Sequence, residues 1–239
     1  MPTSKTIANA LQQHPSPLFL AYQPIKRLDG LSLPPDTFEA LLRFQRGTVA
    51  IAAGEFLPGI NDALLKRRID AWVMGEVAQR MRGDRFRYAI NLSEASCHHE
   101  FIQIEIATIF DGLHIGDRLV IEVSEDTLLN GVASKVLPML GQFTVIWLDD
   151  FGAAQANFGM LLEMEQYLKG IKIDGKIISN MRSSALARQA VEVLFDFCKG
   201  QDLDCTCEWV EDEETLEMIR AIAYQFPGLR VWIQGWVLG

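Results

Sequence analysis

The chain has 239 residues and a formal net charge of −9, with a sequence pI near 5.0. Hydrophobic residues make up 49% of it, which is enough for a sizeable core in one domain or two. The acidic balance argues against a broad DNA or RNA surface, because neutralising phosphates requires clustered lysine and arginine. The sequence has neither a signal-peptide pattern nor a run of about 18 apolar residues, so we expect a cytosolic protein without a membrane span.

The chain divides into a short N-terminal segment and one long domain. Residues 1–17 are predicted to form an extension that is largely helical, and residues 18–239 are predicted to form the domain. Short β-rich runs alternate with helical patterns along that domain. The predicted strands are Leu18–Ile25, Phe38–Phe44, Phe86–Asn91, Leu119–Val123, Thr144–Leu148, Gly170–Ile173, Leu203–Cys207 and Leu229–Gln234. The predicted helices are Ala63–Arg82, His99–Phe110, Thr127–Leu140, Phe158–Leu168, Ser184–Lys199 and Asp212–Tyr224.

This alternation predicts an α/β fold. Strands such as Leu119–Val123 are almost continuously apolar, which is typical of parallel strands covered by helices. About eight strands alternating with helices favour a TIM-type (β/α)8 barrel, with room for one irregular or antiparallel strand at the N-terminus. A doubly wound open sheet is the alternative.

Polar residues stand at or near the ends of most predicted strands. In a parallel barrel every strand delivers its carboxyl end to one rim, where active sites of this fold are built. We therefore expect five carboxylates, two amides and one lysine to meet in one pocket. They are Glu39, Asn91, Glu122, Asp149, Asp150, Lys172, Glu208 and Gln234.

Such a pocket points to metal chemistry. Five carboxylates in one cleft would repel each other unless cations intervened, and oxygen ligands select hard ions such as Mg²⁺ or Mn²⁺. Two such ions can clamp a phosphodiester and activate a water molecule. A sugar-cleaving carboxylate pair is a third interpretation, but an asparagine and adjacent aspartates fit metal better.

Eight short motifs follow one another over about residues 18–236. One of them, Phe38–Arg43, contains the triplet Glu39-Ala40-Leu41. The others are Tyr22-Gln23-Pro24-Ile25, Asn91-Leu92-Ser93, Ile121-Glu122-Val123-Ser124-Glu125, Asp149-Asp150-Phe151-Gly152, Lys172-Ile173-Asp174, Glu208-Trp209-Val210-Glu211 and Gln234-Gly235-Trp236. In their residues and their order, these motifs resemble the EAL-domain family of cyclic di-GMP phosphodiesterases, which is named for the Glu-Ala-Leu triplet.

The resemblance implies opening of cyclic di-GMP to linear pGpG at a two-metal site, with roles for individual residues. Lys172 would contact the catalytic water, Glu208 would act as general base or organise that water, and Asp150 would hold the second ion or its bridging water. Glu125 would anchor the loop after the strand Thr144–Leu148. The implied metal ligands are Glu39, Asn91, Glu122, Asp149 and Asp150, and the implied substrate contacts are Gln23, Leu42, Arg43, Glu211 and Gln234.

Two departures from the family leave a second function open. The family usually continues Asp-Asp-Phe-Gly with Thr-Gly-Tyr-Ser-Ser, but this chain has Ala153-Ala154-Gln155-Ala156-Asn157. Trp209 replaces the usual glycine, and it could either stack on a guanine or fill the barrel mouth. The altered segment 153–157 motivates the alternative, which is a weak or inactive module that binds cyclic di-GMP or a regulatory protein. Members of the family commonly form homodimers, so the resemblance also implies a homodimer here.

Overall fold

In the part of the chain that the structure describes, nine β-strands form a single sheet, and eight of them close into a ring. The computed structural model describes residues 1–99, 102–129, 133–152 and 158–238. The strands are β1 (Leu18–Arg27), β2 (Thr37–Arg46), β3 (Val49–Ala52), β4 (Arg87–Asn91), β5 (Leu119–Ser124), β6 (Val145–Phe151), β7 (Gly170–Ile173), β8 (Asp204–Cys207) and β9 (Arg230–Ile233). Their order is β1-β9-β8-β7-β6-β5-β4-β2-β3, and an additional β1–β2 pairing closes the ring.

The ring is parallel except at β1. Strand β1 runs antiparallel to both of its neighbours, β2 and β9, whereas β2 and β4 to β9 all run in one direction. Strand β3 lies outside the ring and pairs antiparallel with the end of β2. The predicted TIM-type barrel with a reversed first strand is confirmed. The open doubly wound sheet is wrong, because a sheet whose two ends pair has no open edges there.

Helices cover the outside of the barrel and begin where polar side chains cap them. Asp62, Ser184 and Asp212 each accept a hydrogen bond from the backbone amide three residues later, which satisfies an otherwise unpaired donor of the first turn. The helices are α1 (Ser4–Ala10), α2 (Ala53–Phe56), α3 (Ala63–Gly83), α4 (Glu94–Cys97), α5 (Ile102–Ile109), α6 (Glu125–Leu129), α7 (Ala133–Leu140), α8 (Phe158–Met164), α9 (Gly175–Asn180), α10 (Ala185–Gly200) and α11 (Glu213–Ala223).

The predicted elements agree with the described ones in position, and the differences are local. The single helix predicted over Thr127–Leu140 is two, α6 and α7, and residues 130–132 between them lie outside the described residues. The pattern at His99–Phe110 yields the shorter helix α5. Strand β3 and the short helices α2, α4 and α9 were not predicted. In the described part of the chain, no helix has the length and apolar character required to span a membrane.

An apolar layer fills the barrel interior below the mouth, and one partly buried cation packs on two of its indoles. This layer consists of Ile25, Ala89, Val120, Trp147 and Trp232. The guanidinium of Arg87 lies 5.0 Å from the ring centroid of Trp147 and 6.0 Å from that of Trp232. Gly170 faces Trp147 from β7, where a Cβ would lie 2.6 Å from the indole Cδ1 and Nε1 atoms. The barrel is thus a packed core that is closed below the mouth.

Alanine at Gly170 is expected to lower the free energy of unfolding by about 1–3 kcal/mol, because the added methyl overpacks this interior. Trp147 cannot turn away easily, since it is fully buried and packs on Trp232. Urea denaturation measures the change. The matched control is Gly75→Ala in α3, where a Cβ would meet nothing within 4 Å; it should stabilise the protein by about 0.5–1 kcal/mol. Equal effects at both positions would contradict the packing described here.

Candidate active site

Lys172 lies at the centre of a ring of carboxylates at the carboxyl end of the parallel strands. Its side chain is 1% exposed. The ammonium nitrogen Nζ lies 2.7 Å from Glu208 Oε1, 2.9 Å from Asp149 Oδ1, and 3.2 Å from both Glu39 Oε2 and Glu122 Oε1. The four carboxylates come from β2, β5, β6 and the residue after β8. Residues 169 positions apart in sequence therefore meet around one nitrogen atom.

Three amide side chains extend this cluster. Asn91 Nδ2 donates to Glu39 Oε1 at 2.8 Å and to Glu122 Oε2 at 3.4 Å. Gln234 Nε2 donates to Glu39 Oε2 at 2.6 Å and to Gln23 Oε1 at 3.2 Å. Gln23 lies opposite Glu39 in the β1–β2 pairing. Asn91 thus joins the carboxylates of β2 and β5, and Gln234 joins Glu39 on β2 to Gln23 on β1.

The alternation of side chains along the β-strands places the polar site directly above the apolar layer. Successive residues of a strand point to opposite faces, so residues two apart share a face. Each member of the apolar layer is two residues from a polar member of the site on the same strand or just beyond it. The pairs are Ile25 with Gln23, Ala89 with Asn91, Val120 with Glu122, Trp147 with Asp149, and Trp232 with Gln234. The polar site is the next layer above the apolar one.

A bulge in β6 brings two consecutive aspartates to the site. The pairing between β6 and β7 shifts between Leu148 and Phe151, so that Asp149 and Asp150 occupy the space of one regular residue. Asp150 has a φ of 54°, a left-handed conformation that aspartate tolerates better than most residues. Oxygen atoms of Asp149, Asp150 and Glu208 lie within 4.8 Å of one another. In a regular strand the two aspartates would face opposite sides.

The charges around Lys172 do not balance. If all four neighbouring carboxylates were ionised, the five groups would carry a net charge of −3. An ammonium also has only three N–H donors, and neither Glu122 Oε1 nor Asp149 Oδ1 accepts a hydrogen bond within the described residues. The site therefore holds more negative charge than its own lysine can compensate.

The pKa values reflect this imbalance. Burial alone would lower the pKa of Lys172, but the surrounding carboxylates raise it well above its ordinary value, so the lysine stays charged. Burial would raise the pKa of Glu39, but Lys172 and the hydrogen bonds from Gln234 and Asn91 hold it below its ordinary value. Glu39 is thus the carboxylate that the site stabilises in its ionised form.

Three other carboxyls have raised pKa values. Burial raises the pKa of Glu208 to about 8, and although Lys172 opposes this shift, the charge of Asp149 adds to it. Burial and then the charge of Asp149 raise the pKa of Asp150 to about 6. Burial, reinforced by the charge of Glu39, raises the pKa of Glu122 well above its ordinary value. Without added cations, these carboxyls hold protons at pH values where exposed carboxyls have lost them.

The donor set fits hard divalent cations. Carboxylate and amide oxygens at this density are typical ligands of Mg²⁺ and Mn²⁺. Asp149, Asp150 and Glu208 form a three-carboxylate group. Among the described residues, one oxygen atom of Asp149 and one of Glu122 have no hydrogen-bond partner and can bind a cation. A bound cation would supply the positive charge that Lys172 alone does not.

The remaining predicted site residues lie at different distances from this centre. Arg43 is half-buried on β2, and its guanidinium donates to Leu42 O. The Leu42 side chain is buried in the hydrophobic core with Ala40 and Phe44. Glu211 is exposed beyond β8. The altered segment 153–157 lies outside the described residues.

Glu125 lies beside the loop that it was predicted to anchor. It is the first residue of α6 and is buried. Its Oε2 atom accepts a hydrogen bond from the backbone amide of Gly152 at 3.4 Å. Gly152 follows β6 directly and has a φ of 93°, and a Cβ there would lie 2.5 Å from Ile177 Cδ1. A glycine is therefore required where the chain leaves β6.

Asp70 is a functional candidate that the sequence analysis missed. It is buried on α3, and its Oδ2 atom accepts from Ser93 N at 3.1 Å, Ser93 Oγ at 2.5 Å and Ser96 Oγ at 2.6 Å. These bonds hold the loop that begins directly after Asn91. A carboxylate on the apolar face of an amphipathic helix, between Ile69 and Val73, is the sequence signal that could have identified it.

Comparisons with known proteins agree with the fold. The family model described as "EAL domain" matches residues 5–226. The cyclic di-GMP phosphodiesterase PdeB of Shewanella oneidensis is 27% identical, and the match covers 98% of this chain and 27% of that protein. The chain thus spans about a quarter of the length of this curated relative.

Solved structures show the same barrel. The PaMucR phosphodiesterase in its c-di-GMP complex has a TM-score of 0.82 and 26% identity, with 98% of this chain and 96% of that chain covered. The FimX EAL domain from Pseudomonas aeruginosa bound to c-di-GMP has a TM-score of 0.80 and 20% identity, with 98% and 95% covered, and supports the fold alone. With a family match over nearly its whole length, and with the carboxylate ring at the mouth of the barrel, the chain belongs to the EAL domain family.

Proposed function

We propose that this protein hydrolyses cyclic di-GMP to linear pGpG with the help of two divalent cations, Mg²⁺ or Mn²⁺. The observation that carries the proposal is the ring of carboxylates around Lys172, which has excess negative charge and a donor set suited to such ions. A related phosphodiesterase acting on cyclic di-GMP and a related barrel in complex with that ligand support the choice of substrate.

The proposed metal ligands are three members of the carboxylate ring and two residues next to it. They are Glu39, Asn91, Glu122, Asp149 and Asp150. The ions, when bound, would polarise the phosphodiester, activate a water molecule and stabilise the leaving oxygen. Which of the two ions is used depends on the cell as well as on the ligands, since both prefer oxygen donors.

Lys172 and Glu208 act on the attacking water in this proposal. The water oxygen bonds to phosphorus while one P–O bond of the cyclic dinucleotide breaks, and the departing oxygen takes up a proton to become a free hydroxyl of the linear product. Glu208, in contact with Lys172 at 2.7 Å, accepts or directs the proton of that water. Lys172 remains charged and stabilises the negative charge that develops on the phosphoryl oxygens. Asp150 stands beside both, at the bulge.

The substrate contacts are proposed along one wall of the mouth. Gln23 and Gln234 are hydrogen-bonded to each other beside Glu39, where they border the reacting phosphate. Arg43 lies on the same strand face as Glu39, four residues further toward the mouth, and pairs with a phosphate. Leu42 would contact the substrate through its backbone, while its buried side chain holds β2 in place. Glu211 lies at the outer rim.

Glu208→Gln is expected to lower kcat for cyclic di-GMP by about 10²- to 10⁴-fold, because an amide cannot take the proton from water. Glu39→Ala should also abolish turnover. Chromatography of purified protein incubated with cyclic di-GMP and Mg²⁺ or Mn²⁺ measures the formation of pGpG.

Glu217→Gln is the matched control for these variants. Glu217 is exposed on α11, where it pairs with Arg220, and its variant should turn over like the wild type. If Glu208→Gln or Glu39→Ala kept full activity, the assigned roles would be wrong. If the wild type bound cyclic di-GMP without forming product in either ion, the binding-module function suggested by the altered segment 153–157 would replace hydrolysis.

The stability of the metal-free protein is expected to fall as the pH rises from about 5 to about 8. Glu208, Asp150 and Glu122 have raised pKa values, so over this interval the folded protein holds protons that the unfolded chain has released. The unfolded state then binds fewer protons, and the linkage relation gives a negative slope. The lowered pKa of Glu39 acts only below its ordinary value of 4.5, outside this interval.

Urea denaturation in chelator and in Mn²⁺ checks this prediction. Divalent ions bind the ionised carboxylates, so Mn²⁺ should remove or reverse the fall. Glu208→Gln should make the slope in chelator shallower, whereas the surface variant Glu217→Gln should leave it unchanged. Stability in chelator that increases with pH over the same interval would contradict the excess of negative charge at the site.

A further inference from the structure

Trp209 is a large, half-exposed aromatic side chain directly after the proposed base Glu208. It follows β8 on the rim of the barrel, and 56% of its surface is exposed. The neighbouring amide of Val210 donates to Gln234 O at 3.1 Å, so the segment is fixed to the backbone of the site. A bulky indole therefore stands at the mouth, in a segment that is held on both sides.

One side of the Trp209 indole rests on the loop after β7. A Cβ at Gly175 would lie 2.2 Å from the indole Cγ and Cδ2 atoms and 2.8 Å from the Trp209 Cβ. Only glycine leaves room for this contact. Gly175 begins α9, immediately after the segment that carries Lys172. The indole thus lies across the rim between the ends of β7 and β8, the two strands that carry Lys172 and Glu208.

The backbone at Trp209 has a φ of 52°, a conformation in which a bulky residue is uncommon and which glycine adopts freely. The conformation fixes the direction of the indole, and the contact with Gly175 covers part of its surface. The remaining surface of the indole is exposed to solvent. The acidic residues Glu208 and Glu211 lie close to Trp209 in the sequence. A side chain that only filled the barrel mouth would be buried by its neighbours, as Trp147 and Trp232 are.

We propose that Trp209 is a stacking platform for one nucleobase of the substrate. This inference rests on the proposed function and names a residue that determines substrate affinity. The acidic mouth and its cations would hold the phosphates, whereas an uncharged purine needs a flat apolar surface beside them. Indole faces provide such a surface, and stacking on them tolerates any base.

Binding of cyclic di-GMP in Ca²⁺, followed by calorimetry, tests the proposal. Trp209→Leu is expected to raise Kd by about 5- to 150-fold, the usual effect of losing one base–aromatic stack. Trp209→Phe keeps a ring and should stay within about threefold of the wild type. Gly175→Ala leaves Trp209 in place but displaces its ring, and should also weaken binding.

Tyr224→Leu is the control for loss of an exposed aromatic. Tyr224 is 88% exposed at the end of α11, which runs away from the mouth, and its variant should bind like the wild type. Thermal unfolding of each variant separates weaker binding from misfolding. If folded Trp209→Leu binds as tightly as the wild type, or if Trp209→Phe is as weak as Trp209→Leu, the platform is overturned.

Turnover in Mn²⁺, measured on the wild type, keeps this test separate from that of the proposed function. Binding without turnover would refute hydrolysis, and a raised Kd for Trp209→Leu would then still support the platform. Turnover with an unchanged Kd for Trp209→Leu would refute the platform and leave hydrolysis intact. If the wild type does not bind cyclic di-GMP, both fail.

Discussion

The ion cluster around Lys172 is the constraint on which the site depends. One ammonium contacts four carboxylates inside a barrel whose floor is apolar. Removing these charges from water is costly, and a single cation offsets only part of the repulsion among them. The core below and the helices outside must therefore stabilise an arrangement that is unfavourable by itself. Such local conflict is common where a protein holds ligands for ions.

The sequence allowed most of this arrangement to be predicted. Parallel strands end at one rim, so Glu39, Glu122 and Glu208 could be assigned to a common pocket without any knowledge of their neighbours in space. Lys172 could be assigned to the same pocket because it lies near the end of a predicted strand. Each of these inferences needs only a local pattern and the rule that the parallel strands of a barrel end at one rim.

Other features depend on pairings that no local pattern records. The bulge that turns both Asp149 and Asp150 toward the site exists only in relation to β7. Strand β3 pairs beside the end of β2 outside the ring, and its residues, Val49–Ala52, are too few to show an alternation. The position of Asp70 on the apolar face of α3 marks it in the sequence, but its partners Ser93 and Ser96 are brought to it only by the fold. The two alternatives for Trp209 stayed open for the same reason, since exposure and a left-handed φ belong to the folded chain.

The reversed direction of β1 has a consequence for how the barrel is entered. Because Leu18 pairs with Phe44 and Gln23 with Glu39, the strand starts above the cluster, roughly 16 Å higher at the usual rise per residue, and descends past it. In an all-parallel barrel, the polypeptide leading into the first strand would arrive at the base. Here it arrives on the same side as the carboxylate ring. A force or a displacement applied ahead of β1 would therefore be transmitted first to the wall formed by β1 and β2, and hence to the entrance of the barrel.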